Sequence, residues 1–273
     1  MQYKLLALDM DGTLLNSSKK ITPKTLEAIN RLLERGVHVV ISSGRNIPEM
    51  SYYSEQLKNI RYAVLMSGGM VYDFVEEKPI ALHPISTEIA LEIIDVGIAE
   101  RAMIHIHSIR DSIVSRADVS HMADFHMGIY QDMFMRISTF IDDPKQFALE
   151  HRNEIVKVNL YNRSIESQQK ALERIKHLPI EPVFAEETNI ESSPRGISKA
   201  SGLLELCKHL GISIDETIAI GDAPNDLEIL QTAGVGIAMG NADERIKSIA
   251  DFVTDDNDHD GIARAVEEFF QPK

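Results

Sequence analysis

The chain of 273 residues carries 42 acidic against 28 basic side chains, a formal charge of −14, with 44% hydrophobic and 26% charged residues. At roughly 100–200 residues per domain, this length accommodates two domains, or one with a large insertion, and the composition excludes fibrous and disordered classes. The acidic balance repels nucleic acid and anionic membranes, and no basic run offsets it locally, so neither is expected as a partner.

Residues 4–8 form a short apolar run ending in Asp9, read as a strand. No basic region, apolar run and cleavage site precede it, and no stretch of about 18 uncharged apolar residues follows. Neither an export signal nor a membrane helix is therefore expected. Thr22-Pro23 supplies an N-cap and a first-turn proline for a helix closed by Gly36. Residues 37–41 are a second buried strand, 48–58 a helix and 62–66 a third strand. Such alternation builds a parallel sheet with helices on both faces.

After Tyr72 the rhythm changes, with strand-like 103–107 and 156–161 separated by helical 88–100 and 166–178. From Lys199 the first pattern resumes: helix 199–210 stopped by Gly211, strand 217–220, helix 225–232 and strand 236–239. The predicted fold class is α/β, a doubly wound parallel-sheet core over residues 1–82 and 186–273, interrupted by an inserted α+β cap at 83–185. Cys207, the single cysteine, lies among Leu203, Leu204, Leu206 and Leu210 at the spacing of a buried helix face, which assigns it to core packing. With no disulfide possible within the chain, a reducing, cytoplasmic location is expected. Oligomeric state leaves no trace in the sequence.

Asp9-Met10-Asp11-Gly12-Thr13 follows the first strand directly, and ligand sites of open parallel sheets lie just outside the carboxyl ends of strands. Taken alone it is also a good acidic turn. Gly221-Asp222-Ala223-Pro224-Asn225-Asp226 repeats the situation after another strand, where its acidic and amide residues would also suit a helix cap. Two carboxylate clusters at one sheet edge suit Mg²⁺, which takes hard oxygen ligands. Ser42-Ser43-Gly44-Arg45 ends the second strand and Lys199 opens a helix, so both loops offer donors to a phosphate. A phosphate dianion beside carboxylates needs such cations to offset repulsion.

Together these four loops resemble the haloacid dehalogenase superfamily, and more closely its Cof-type branch with a large α/β cap inserted after the third strand. Asp9 and Asp11 match its DxDGT motif, Ser43 its hydroxyl position, Lys199 its lysine, and Asp222, Asn225 and Asp226 its GDxxND motif. The run Ala238-Met239-Gly240-Asn241-Ala242 also looks like this branch. The resemblance implies in-line attack by Asp9 on phosphorus, with Asp11 protonating the leaving oxygen and then activating water. It implies Mg²⁺ held by the Asp9 carboxylate, the Asp11 carbonyl and Asp222, completed or supported by Asn225 and Asp226. Ser43, Gly44 and Lys199 would hold the phosphoryl group, with Arg45 facing the substrate. Two departures are visible. Ser67-Gly68-Gly69-Met70 stands where this branch has Ser-Asn-Gly-Ala, and Ala200 replaces the glycine after the lysine.

The expected function is hydrolysis of a small phosphorylated metabolite, sugar phosphates first, with a phosphorylated riboflavin precursor and pyridoxal phosphate as further candidates. A phosphomutase and a phospho-accepting signalling protein are the alternatives. Residues 256–261 with Glu267 satisfy a calcium-loop pattern, but a short strand at 251–254 is expected where an EF-hand needs a helix, and Asp260 reads as the cap of helix 262–269. His105 and His107 share a strand face near His121 and His126. Without a further ligand pattern they read as solvated or substrate-facing rather than zinc-binding. Met122, Met127, Met133 and Met135 suggest an adaptable cap surface, with plain packing as the default.

Overall fold

Leu5–Leu8 is buried at every position, as a central parallel strand must be, and pairs in parallel with His38–Ser42 on one side and Thr217–Gly221 on the other. The whole sheet runs Phe252–Val253, Val235–Ala238, Thr217–Gly221, Leu5–Leu8, His38–Ser42, Tyr62–Leu65, Met70–Asp73, Lys78–Leu82. Its first six strands are parallel, and Met70–Asp73 turns back antiparallel. The chain builds outward from Leu5–Leu8 in one direction and later in the other. Ligand sites of such sheets lie at that switch point. The computed structural model describes residues 3–184 and 187–270.

Helix Pro23–Glu34 starts as its sequence predicts, with Thr22 Oγ1 accepting from Thr25 N and Pro23 in the first turn. Helix Lys199–Leu210 is capped by Ser198, whose side chain accepts from Ser201 N, and ends at Gly211 with φ +67°. Leu203, Leu206 and Cys207 of this helix pack with Leu5, Ala7, Val40 and Val64. Full burial of each such leucine stabilises the fold by about 1.5–3 kcal/mol. Burial also pushes the Cys207 thiol up to about 11, consistent with its packing role.

Two compact units result, one of Met1–Gly44, Ser54–Ala81 and Ser198–Lys273, the other of Arg45–Tyr53 and Leu82–Ile197. The second unit holds a sheet in the order Ile180–Val183, Asn189–Pro194, Ile155–Tyr161, Met103–Ser108, Ser112–Ser115, Ser138–Ile141. One face is apolar: Ile104, Ile106, Val158, Leu160 and Ile190 pack with Ile93 and Ile94 of helix Thr87–Glu100 and Ala171 and Ile175 of helix Ile165–Ile175. The alternation of strands places polar residues on the other face. There His105 pairs across the sheet with Asn159, Asn159 with Glu191, and His107 with Lys157.

Several expectations are corrected. The helix expected at 48–58 is two short ones, Ile47–Ser51 and Ser54–Leu57. Tyr53 is buried beneath the Arg45 guanidinium at the end of the Arg45–Tyr53 segment of the second unit, whereas Ser54 returns to the first. Residue 186, the expected point of return to the core, lies outside the described residues. Strand Asn189–Pro194 nevertheless pairs within the second sheet, and the first unit resumes at Ser198. Asp260 gives no side-chain cap to helix Gly261–Phe269. It lies at φ +58°, and its Oδ1 accepts from Thr22 Oγ1 at 2.5 Å instead.

His105 and His107 are not solvated: both are fully buried, with His105 Nε2 2.7 Å from Ser112 Oγ and His107 Nε2 3.1 Å from His105 Nδ1. His121 and His126 are exposed. Met122, Met127 and Met133 are packed inside, and only Met135 of the four is exposed.

Candidate active site

Within the first unit, Asp9 leaves the central strand with its N–H still bonded to the Ile220 carbonyl at 3.0 Å. The loop then closes on itself, Leu14 N donating to Asp9 O at 3.2 Å and Leu15 N to Met10 O at 2.8 Å. Gly12 turns this loop at φ +82°, and a Cβ there would stand 2.2 Å from Asp222 Oδ2. Only glycine permits both the left-handed backbone and so close an approach of the second acidic loop.

Lys199 is the first residue of its helix, and side chains there lean back toward the N-terminus. Its Nζ, fully buried, lies 2.5 Å from Asp9 Oδ1 and 2.7 Å from Asp226 Oδ1. The other oxygen of Asp226 accepts from the backbone N–H of Asp222 and of Ala223, both at 3.1 Å. These two bonds draw residues 224–226 into a 3₁₀ turn, so the helix expected from Asn225 starts instead at Leu227. Thr13 Oγ1 donates to Asp222 Oδ1 at 2.6 Å, tying the two loops across 209 residues of sequence.

Oxygen atoms of Asp9, Asp222 and Asp226 lie within 4.8 Å of one another. Burial, and then the negative charge of Asp226, holds Asp9 well above the usual carboxylate range despite Lys199. The same two causes push Asp222 up to about 7, against the Thr13 hydrogen bond. For Lys199 burial would lower the pKa, but Asp226 and Asp9 outweigh it and raise it. Three carboxylates around one ammonium leave an excess of negative charge that a divalent cation would relieve. The donor set is all hard oxygen, and the adjoining Asn225 carries a buried Oδ1 with no hydrogen-bond partner among the described residues. These residues therefore fit Mg²⁺.

Asp11 is partly exposed, its Oδ1 3.1 Å from Lys19 Nζ. Ser43 is buried at the end of the neighbouring strand, its N–H bonded to Val64 O and its carbonyl to Ser67 N. Arg45, by contrast, is a buried member of the second unit, its guanidinium beside the Tyr53 and Tyr130 rings and bonded to Met133 Sδ at 3.0 Å. The sequence motifs assign no individual role to Thr13, Lys19 or Asn241. Thr13 and Asn241 lay inside recognisable motifs, whereas nothing distinguished Lys19 from a surface lysine.

A profile of haloacid dehalogenase-like hydrolases matches residues 6–266. The 5-amino-6-(5-phospho-D-ribitylamino)uracil phosphatase YcsE of Bacillus subtilis is 29% identical over 277 residues, covering 97% of this chain and 95% of the relative. A haloacid dehalogenase-like hydrolase structure from B. subtilis superposes with a TM-score of 0.85 at 28% identity, covering 97% of this chain and 99% of the other. A subclass IIB sugar phosphatase of the same superfamily superposes at 0.82 with 25% identity, covering 98% and 99%.

Proposed function

The chain belongs to the haloacid dehalogenase-like hydrolases and is a phosphatase of the Cof type, and on that premise we propose that it hydrolyses phosphate esters of small polyhydroxylated metabolites, sugar phosphates first. The observation that carries the proposal is the buried Lys199 ammonium held between Asp9 and Asp226, with Asp222 alongside. With a divalent cation to offset the excess carboxylate charge, such a constellation would receive an incoming phosphate dianion beside the Lys199 ammonium, which is more than filling a core requires. The sugar phosphatase and the phosphoribitylamino-uracil phosphatase act, by their names, on phosphates carried by hydroxylated chains. That shared chemistry supports the substrate class.

In this reading an Asp9 carboxylate oxygen attacks phosphorus in line with the ester oxygen. The new O–P bond forms as the ester P–O bond breaks, and Asp11 gives its proton to the departing alkoxide. Water then loses a proton to the Asp11 carboxylate and attacks the same phosphorus, freeing phosphate and restoring Asp9. Lys199 holds phosphoryl oxygens, assisted by Ser43 and the Gly44 backbone. The Asp9 carboxylate, the Asp11 carbonyl and Asp222 would hold Mg²⁺, with Asn225 and Asp226 beside them, and the ion would offset charge on the phosphoryl oxygens. Arg45, engaged within the second unit, is left as a substrate-side residue whose contribution a charge-removing variant would read.

The test is a panel of phosphorylated metabolites with and without Mg²⁺. Hydrolysis of sugar or polyol phosphates that is abolished by chelator and restored by Mg²⁺, with Ca²⁺ a poor substitute, is the expected result. Full turnover in excess chelator would remove the metal from the scheme, and a preference for phosphates lacking hydroxylated chains would remove the substrate class.

A further inference from the structure

Asn241 stands where three segments of the first unit meet. Its Nδ2 donates to the Gly12 carbonyl at 2.8 Å and lies 3.4 Å from Asp222 Oδ2. Its Oδ1 accepts from the backbone N–H of Asn257 at 3.1 Å, which decides which end of the amide meets Gly12. Asn257 in turn donates through Nδ2 to the Leu15 carbonyl at 2.9 Å. One residue further, Asp258 Oδ1 accepts from Ser17 N at 3.0 Å and from Ser17 Oγ at 2.9 Å. The acidic run that spells a calcium loop in sequence is thus engaged by the loop that follows the nucleophile.

We propose that Asn241 is a positioning residue that sets the spacing between the nucleophile loop and the Asp222 loop, with residues 257–260 acting as its latch. The inference rests on the phosphatase reading and deepens it. Asp222 has two carboxylate oxygens: Thr13 fixes one, and Asn241 faces the other. Gly12, kept without a side chain by the closeness of Asp222, offers no side-chain atoms to fix its own carbonyl, one residue beyond Asp11. The Asn241 amide supplies that hold from the opposite loop. It touches no reacting atom, so its effect must pass through the groups it orients, as partners behind metal ligands do elsewhere.

Asn241 is exposed, so removing its amide leaves no deeply buried side chain unpaired, and thermal melting reads any loss of folding apart from the loss of function. Function and folding are therefore separable here. Asn241→Ala and Asn241→Leu, the second keeping similar bulk without a donor, are to be made in the full chain. Mg²⁺ binding is measured by calorimetry without substrate, alongside kcat, KM and thermal melting. The expected result is Mg²⁺ affinity and kcat each lowered about tenfold or more, with KM changed far less and the melting temperature held. Variants that bind Mg²⁺ and turn over like an active wild type would overturn the bridge alone, as would losses that merely track a lower melting temperature. A wild type that neither binds Mg²⁺ nor hydrolyses phosphate esters would overturn the phosphatase reading and the bridge with it.

Discussion

Lys199 Nζ lies 2.5 Å from Asp9 Oδ1, a buried ion pair between residues 190 positions apart in the chain. The pair is asymmetric in its surroundings. Asp9 has further carboxylates as neighbours, whereas Lys199 is the cation that both Asp9 and Asp226 share.

Removing that cation should be costly for the fold before it is costly for chemistry. Lys199→Met leaves Asp9 and Asp226 buried without their shared partner, and breaking a buried pair in this way typically costs about 3–5 kcal/mol. We expect the variant to melt far below wild type in chelator, to recover part of that loss in saturating Mg²⁺, and to be inactive in both. An unchanged melting temperature in chelator would show that Lys199 does not hold the carboxylates together.

Asp9→Asn should behave in the opposite way. The Asp9 carboxyl is held well above its usual range because burial and Asp226 oppose its charge, and an amide of nearly the same shape carries no charge to oppose. The variant should fold with wild-type stability or better, yet lack a nucleophile. More than trace turnover by clean, folded Asp9→Asn would remove Asp9 from the nucleophilic role.

The buried imidazoles of the second unit give a pH dependence with a definite sign. Burial, then the Lys157 charge, lowers His105 to about 3, and burial, His105 and Lys157 hold His107 well below its ordinary value. Glu49 lies 3.9 Å from His107 Nδ1, and Glu191 pairs with the neighbouring Lys157. Between pH 6.5 and about 3 the unfolded chain takes up a proton at His105 while the folded chain does not, and the lowered His107 acts in the same direction. The stability they contribute is therefore present above pH 6.5 and lost as pH falls, by up to about 1.4 kcal/mol per pH unit for each. Denaturant unfolding of wild type and His105→Gln at pH 7.0, 6.0 and 5.0 should show the shallower slope in the variant. Parallel slopes would mean that His105 protonates equally in both states.

Local signals were legible in the sequence where one residue decides the outcome. Thr22-Pro23 opened a helix, Gly211 closed one, and apolar runs of strand length became the central strands because nothing in their surroundings competes with burial. Signals failed where a distant partner decides. Residues 48–58 read as one helix because no pattern says that Tyr53 will be buried under Arg45 while Ser54 returns to the other unit. Asp260 read as a cap because its competing partner, Thr22, lies 238 residues away. The acidic loops of the site were found as motifs, but the bonds that tie them, Thr13 to Asp222 and Asn241 to Gly12, exist only once the sheet brings the strand ends together.

Gly68 turns a departure from the family pattern into a prediction. The resemblance places asparagine at this position, so Gly68→Asn would restore the sequence pattern, and on that ground alone it should improve substrate handling. The structure predicts the reverse. Gly68 lies at φ +97°, outside the small left-handed region that asparagine tolerates, and a Cβ built on it would stand 2.0 Å from the Ser198 carbonyl oxygen. That oxygen is backbone, so it cannot rotate away as a flexible side chain would. Ser198 caps the helix that begins with Lys199, and any displacement of Ser198 moves the ammonium relative to Asp9 and Asp226. Backbone strain of this kind costs on the order of 1–3 kcal/mol, to which the clash adds. We expect Gly68→Asn to lower the melting temperature and to reduce kcat, with Gly68→Ala intermediate because it adds the Cβ without the amide. Improved kcat/KM in Gly68→Asn at unchanged stability would show that the loop relaxes to admit the side chain, and that Ser198 does not fix Lys199 as the geometry here requires.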